Sequence, residues 1–489
     1  MIGRSVGREY LMAERPASQA TRLGLTAKVL YGVGEVSNAG KGALFGLYLL
    51  FFYTSVMGLP GTLAGAAAAI GLAWDATIDP LIGRLSDRAR LPLGRRHPFM
   101  LLGALLSCVA FYEVFSPPQG LSTPLLFAWF VGWNLLVRLA GSLFAVPYLA
   151  LGAELSQDYR ERTTITGIRG ACGLLGTMAL TAQSFVLFFP NAVPGEDPKL
   201  RYDGYPSMGF VFGLVMSTAA LVATVGTLPW RSRRNRLDDR DRAAPTIGFL
   251  RGLAMAMQCR PFRALVLSSS LVFLAGVVST NLAIHFLTYY VRIADSRALG
   301  SAQVAFYVGA LVGVLLWTTI ARRLEKRQVY LMGTFAMAAP FIAATLLLGD
   351  GRPLGTGDVR PVLVIYALGG LFGSVFSIIP ASMVADVVDD DEATIGQRRE
   401  GVFFGIFSFS QQAAAGLSIL TTGIMIDWFA GLVPGQAEQS ALTTDRIGLL
   451  FGLLPAGLLI VAALLIWNYP LDARRVAAIQ LALAHRRSP

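Results

Sequence analysis

Leu72-Ala73-Trp74-Asp75-Ala76-Thr77-Ile78-Asp79-Pro80-Leu81-Ile82-Gly83-Arg84-Leu85-Ser86-Asp87-Arg88 begins as an apolar run, carries two carboxylates within it and ends in a charged cluster. Four residues of helix rise about 6 Å and turn about 400°, so Asp75 and Asp79 share one face a single turn apart. Pro80 has no N–H and leaves the Ala76 carbonyl without its helical donor. The apolar run extends over residues 61–85. That is enough to cross a bilayer, which takes about 20 apolar residues.

Similar runs recur near 27–57, 98–116, 124–155, 163–189, 207–230, 263–291, 299–320, 328–348, 361–385, 401–430 and 443–468. Composition agrees: 54% of the 489 residues are hydrophobic and 15% charged, against about 25% charged in soluble domains. The expected class is an all-α membrane protein with twelve transmembrane helices in two pseudo-symmetric six-helix bundles. The division predicted is a segment over 1–26, a bundle over 27–230, a linker over 231–262, a second bundle over 263–468 and a tail over 469–489.

The formal charge is +11, with 41 Lys and Arg. A nucleic-acid face would gather them on one surface among exposed aromatics, but here they alternate from loop to loop. Loops 58–60 and 116–123 carry none, whereas 84–96 carries five. The positive-inside rule therefore puts both termini in the cytoplasm of a multi-pass protein of the cell (inner) membrane. No nucleic-acid partner is expected, and a monomer among membrane lipids is. The first 28 residues have no apolar signal-peptide core, so the first span is expected to serve as the targeting signal. Cys108, Cys172 and Cys259 are too scattered for a disulfide framework.

The two halves read as copies. Pro147 and Pro380 lie 233 residues apart, each followed by acidic and then basic residues. Arg88 and Arg322, in two further loops, lie 234 apart. Two six-helix repeats around a central cavity are a common secondary-transporter plan.

An ionisable group at bilayer depth costs about 2.5 kcal/mol or more, so those retained face a wet cavity or a partner. Here they are Glu35, Lys41, Asp75, Asp79, Arg138, Arg169, His285 and, near an outer end, Asp427. The Asp75–Asp79 pair must share a proton, bind a cation or meet a basic group. The freed Ala76 carbonyl adds a hard oxygen suited to Na⁺ or to H⁺. Arg138 and Ser142 share a face of the fourth span and point to the same site. Glu35 and Asn38 share a face of the first span, and Gln411 and Gln412 lie inside the eleventh. Tyr31, Trp74, Trp133 and Tyr148 offer aromatic plates for a sugar. No His-Glu-x-x-His or Cys-x-x-Cys spacing speaks for a metalloenzyme, and Gly34-Glu35-Val36-Ser37-Asn38-Ala39-Gly40-Lys41-Gly42 has the wrong spacing for a P-loop.

Gly83-Arg84-Leu85-Ser86-Asp87-Arg88 followed by Gly94-Arg95-Arg96 resembles the loop motif of the major facilitator superfamily. Within it, Tyr31-Gly32-Val33-Gly34, Trp74–Pro80, Val146–Glu154, Tyr159–Arg162 and Arg398–Gly401 resemble the glycoside–pentoside–hexuronide:cation symporters, typified by the melibiose permease. The resemblance implies the major facilitator fold, with Asp75 and Asp79 as cation-binding carboxylates, Ser142 as a hydroxyl ligand and Arg169 as a sugar-contacting arginine. The permease's cation-site Asn is Ile78 here, which removes an oxygen and favours H⁺ over Na⁺. Its sugar-binding acids fall on Ala39 and Ala145, its stacking Trp on Leu149 and its eleventh-span Lys on Gln412. Animal lysophospholipid symporters keep the aspartate pair and are similar too.

The expected function is cation-coupled symport of an organic solute, a sugar or glycoside first and a lysophospholipid-like amphiphile as the alternative, with no cofactor besides the coupling H⁺ or Na⁺. Asp75, Asp79, Ser142 and Arg138 are expected to couple. Arg169, Glu35, Asn38, Tyr148 and Gln412 are expected to bind solute. Asp87, Arg88, Glu154, Asp386 and Arg399 are expected to form cytoplasmic salt bridges that break when that side opens.

Overall fold

A computed structural model describes residues 23–156, 158–190, 197–230, 249–397 and 399–487. Expectations placed on residues 1–22, 231–248 and Arg398 lie outside the described residues. Among the described residues, twelve helices are long and apolar enough to span a membrane. Six form the first group: α1 (Leu25–Val56), α2 (Gly61–Arg88), α3 (His97–Val114), α4 (Thr123–Glu154), α5 (Tyr159–Phe188) and α6 (Gly204–Trp230). A short helix α7 (Phe249–Gln258) precedes the second six: α8 (Arg260–Tyr290), α9 (Ser296–Ala321), α10 (Lys326–Leu347), α11 (Val359–Ile395), α12 (Glu400–Ala430) and α13 (Ala441–Ile466). The tail forms α14 (Ala473–Arg487). No strand occurs among the described residues.

Local chemistry marks the helix ends. Proline stands in the first turn of α3, α4 and α8, where the missing N–H would find no helical acceptor anyway. Asp295, Asp358 and Ser440 cap α9, α11 and α13 through their side chains. Glu325 and Gln328 form a reciprocal capping box at α10.

The internal repeat is visible in the packing. In the first six helices α1 packs on α5 and α6, α2 on α4, and α3 on α4 and α6. In the second six the equivalent pairings recur: α8 on α12 and α13, α9 on α11, and α10 on α11 and α13. The halves meet along α2–α12 and its symmetry mate α5–α9, with α1 against α8.

Twelve crossings put the start of α1 and the end of α13 on one side, called here the terminal side. Toward the opposite, distal side the halves share one buried core. It runs from Tyr48, Phe51 and Phe52 of α1 to Phe286 of α8, Ile426 of α12 and Phe451 of α13. Toward the terminal side each half has its own core, around Tyr31, Phe144 and Tyr148 in the first and Phe262, Val387 and Phe403 in the second. One core that divides into two describes a pair of bundles closed distally and parted at the terminal side.

The distal closure also has polar latches. Asp427 of α12 accepts from Gly61 N at 2.7 Å and Thr62 N at 2.6 Å, at the start of α2. Thr54 of α1 pairs with His285 of α8 at 3.0 Å. Lys199, wholly buried between α5 and α6, bonds the Asp197 carboxylate at 2.7 Å and reaches across to Ile293 O at 3.0 Å. Close approach of α2 and α12 depends on Gly65, where a Cβ would stand 2.9 Å from Ile419 O, and on Gly423, where it would overlap Gly61 O.

Candidate functional site

α2 crosses α4 at Gly71, and the absent side chain is what brings charge together. A Cβ at Gly71 would overlap the Asn134 amide and stand 2.5 Å from Arg138 Nε. With that space free, Arg138 Nη1 donates to Asp75 Oδ2 at 2.5 Å. Asn134 steadies the guanidinium: it accepts from Arg138 Nε at 3.3 Å and donates to Ala67 O at 3.0 Å. The other oxygen of Asp75 is buried with no partner among the described residues, as is Trp74 Nε1. Asp79, one turn nearer the terminal side, faces Ser142, with Arg138 and Lys41 in electrostatic range. The four residues expected to couple therefore converge between α2 and α4.

A second cluster lies between α1 and α5. Arg169 Nε stands 3.5 Å from Glu35 Oε2, and Asn38 donates to Glu35 Oε1 at 3.1 Å. Gly173 of α5 leaves room for Glu35, whose Cγ would be 2.8 Å from a Cβ there. Glu35 Oε2 is buried, and among the described residues it has the Arg169 ion pair but no hydrogen bond.

Two residues expected at the solute site lie apart from the Glu35–Asn38–Arg169 cluster. Tyr148 is fully buried, its ring stacked on Tyr31 at 4.6 Å and on Phe144 at 5.0 Å. Its hydroxyl donates to Tyr31 O at 2.9 Å, and Tyr31 returns a bond to Tyr148 O at 3.2 Å. Tyr148 thus ties α4 to α1 behind the cluster. Gln412 is exposed on α12 in the other half, one turn from Gly416, whose Cβ would stand 2.7 Å from the Leu72 side chain.

The terminal-side ion pairs also correct the expectation. Asp87 pairs with Arg96 at 2.7 Å, and Glu154 pairs with Arg96 at 2.9 Å and Arg95 at 2.8 Å. Arg88 is exposed at the end of α2 and has no ion pair with another described residue. Asp386 pairs with Lys326 at 2.7 Å, and Arg399 with Asp391 at 2.5 Å. Each pair joins elements of one half and is intact while the terminal side is parted. In this state they brace the bundles individually.

Lys41, absent from the expected site, sits among its charges. It has Asp75, Asp79 and Arg138 in electrostatic range and leans on Gly141 of α4, where a Cβ would overlap its ammonium. The available signal was the charge itself, alone in an apolar helix. Asn134 was readable from its spacing, one turn before Arg138 and two before Ser142.

A cavity of about 420 Å³ opens in the interior. It lies mostly in the second half, between α8, α9, α10, α11 and α13, and reaches Ala43 and Leu47 of α1 and Thr181 of α5. Phe273, Phe306, Phe341, Phe376 and Phe451 give it an apolar wall, broken by a few hydroxyls and Gln303. Two of those hydroxyls, Ser279 Oγ and Tyr366 Oη, are buried without partners among the described residues.

This architecture, two six-helix repeats around charged and apolar sites, is that of a major facilitator transporter. The chain belongs to the MFS/sugar transport protein family, whose pattern matches residues 30–473. It is 26% identical to an uncharacterised symporter of Synechocystis sp., over 92% of this chain and 95% of that one. It is 24% identical to sodium-dependent lysophosphatidylcholine symporter 1-A of Danio rerio, over 96% and 90%. The crystal structure of a nucleoside transporter shares the fold, with a TM-score of 0.63 at 13% identity over 91% of this chain and 99% of that one. The protein is an integral, multi-pass symporter of the major facilitator type and not an enzyme.

Proposed function

We propose that the protein couples inward movement of a cation to symport of an amphiphile, a lysophospholipid-like solute, by alternating access. The observation that carries this reading is the division of the interior. The first half offers a charged cluster, Glu35–Asn38–Arg169, and the second an apolar cavity of about 420 Å³. Ala43 stands eight residues up α1 from Glu35, about 12 Å along the helix. A solute with a polar head and an apolar tail can engage both. Arg169 would fork toward a phosphate or hydroxyls, and Ser279 and Tyr366 would meet polar atoms further along.

A sugar or glycoside is the second reading, favoured by the family's description and by three hydrogen-bonding side chains gathered at Glu35. Thermal-shift screening of the purified protein against lysolipids, sugars and glycosides separates the two. Stabilisation by lysolipids that weakens in Arg169→Ala supports the amphiphile, and stabilisation by sugars alone replaces it.

Coupling is assigned to Asp75 and Asp79. Asp75 is paired with Arg138, but Asp79 has no ion pair among the described residues and is costly to enclose in low dielectric, so a proton or cation bound there lowers the barrier to occlusion. H⁺ is favoured over Na⁺ because Ile78 supplies no oxygen, although the Danio rerio relative is named as sodium-dependent. The terminal side is assigned to the cytoplasm from the excess of Lys and Arg in its loops. The parted bundles then describe an inward-facing state in the cell membrane.

A further inference from the structure

Lys41 is a third charged group at the α2–α4 site, and nothing in the coupling scheme uses it. It is partly buried in the middle of α1, and no hydrogen bond or ion pair to a described residue holds its ammonium. Its reach toward α4 exists because residue 141 is glycine: a Cβ there would occupy the space of Lys41 Nζ. Gly141 directly precedes Ser142, which faces Asp79. A cavity of about 20 Å³ beside it, lined by Ser37, Asn38, Lys41 and Gly141 among others, holds about one water-sized body.

Charge counting gives the consequence. With all four ionised, Asp75 and Asp79 carry two negative charges and Arg138 and Lys41 two positive ones, so the cluster then has no net charge before any cargo ion arrives. Adding either cation with Lys41 in place leaves a net positive charge at the site, and Na⁺, which unlike a proton is not absorbed into a carboxylic acid, also needs the position beside the carboxylates that the ammonium holds.

We propose that Lys41 is a tethered cation that compensates the Asp75–Asp79 pair when no cargo ion is bound, so that Na⁺ must displace it. This rests on the reading of the pair as the cation site, though not on that site driving transport. Lys41 then sets ion selectivity, holding the wild-type site nearly indifferent to Na⁺.

The test is Na⁺-dependent thermal stabilisation of the purified protein, with choline chloride at equal ionic strength as control. Wild type and Lys41→Arg should show little Na⁺-specific change. Lys41→Gln and Lys41→Met should gain a saturable rise of a few degrees in Tm, with half-saturation at a Na⁺ concentration at least about tenfold lower than any wild-type response. Lys41→Gln combined with Asp79→Asn should lose that gain. Gly141→Ala keeps the charge but pushes the ammonium away, and should gain part of it.

The proposal is overturned if Lys41→Gln and Lys41→Met respond to Na⁺ as wild type does. It is equally overturned if the gain survives Asp79→Asn, because Na⁺ then binds elsewhere. Gradient-driven uptake by Asp75→Asn and Asp79→Asn tests the coupling role separately. If uptake is normal there while Lys41→Gln still gains Na⁺ binding, the coupling role fails and the Lys41 assignment stands.

Discussion

Arg138 Nη1 lies 2.5 Å from Asp75 Oδ2, a direct ion pair inside the membrane span that joins α4 to α2. Removing one partner of a buried pair costs about 3–5 kcal/mol because the other charge is stranded. These side chains keep 10% and 16% of their exposure, so the loss should fall at or below the lower end. Arg138→Ala should therefore lower the Tm clearly, and Arg138→Ala with Asp75→Asn should recover much of it. A double-mutant cycle of thermal unfolding in detergent measures the coupling, and additive losses would show that the pair contributes nothing as a pair.

Gly71→Ala should disturb the same Arg138–Asp75 ion pair without replacing a charged residue. Its new methyl would stand 2.5 Å from Arg138 Nε and 2.7 Å from Cδ, so the guanidinium must move off Asp75. Altered cation or pH dependence of uptake, with solute affinity little changed, is the expected result. Unaltered ion dependence would mean that the contact yields without consequence.

The distal latch at Asp427 should set the balance between the two faces. Its carboxylate accepts from two N–H groups of α2, at 2.7 and 2.6 Å, and each charge-assisted bond is worth about 1.5–3 kcal/mol. Asp427→Ala should shift the population toward a distally open form by about tenfold or more, since each 1.4 kcal/mol is a factor of ten. Labelling by a membrane-impermeant maleimide at a cysteine placed at Ala68, buried in the shared core, reads the shift. Unchanged labelling rates would remove Asp427 from the latch.

Lys199 predicts an alkaline pH dependence. Burial pushes its ammonium below the ordinary lysine pKa, with Asp197 opposing the shift. A lysine whose pKa falls on folding binds fewer protons folded than unfolded, so stability rises with pH between the lowered value and about 10.4. The Tm of wild type relative to Lys199→Met should therefore increase from about pH 8 to pH 10. A flat difference would mean that Lys199 keeps its ordinary affinity for protons.

The spans were legible because length and hydropathy alone define a membrane helix, and the observed bounds lie within a few residues of those expected except at α11, which runs ten residues past the expected 385 to Ile395 through a charged end that hydropathy does not count. The Asp75–Asp79 site was legible because helical spacing fixes which of Asp75, Asp79, Arg138 and Ser142 share a face. Pairings that depend on loop geometry were not. Five basic residues lie within 84–96, and the turn at Gly94, with φ at 89°, decides that Arg95 and Arg96 rather than Arg88 return to Glu154. Tyr148 looked like a solute-facing ring, but an aromatic near a charge cluster can equally pack helices, and its orientation is a tertiary fact. Lys41 was visible as a charge, yet its approach to the carboxylates depends on a missing side chain at residue 141 of another helix.

The central claim is that Asp75 and Asp79 couple cation movement to solute movement. The most direct measurement compares accumulation with exchange in proteoliposomes, using the ligand that stabilises the purified protein. Under an imposed cation gradient, Asp79→Asn should lose accumulation above equilibrium while still exchanging internal for external solute. Accumulation by Asp79→Asn at the wild-type ratio would contradict the account.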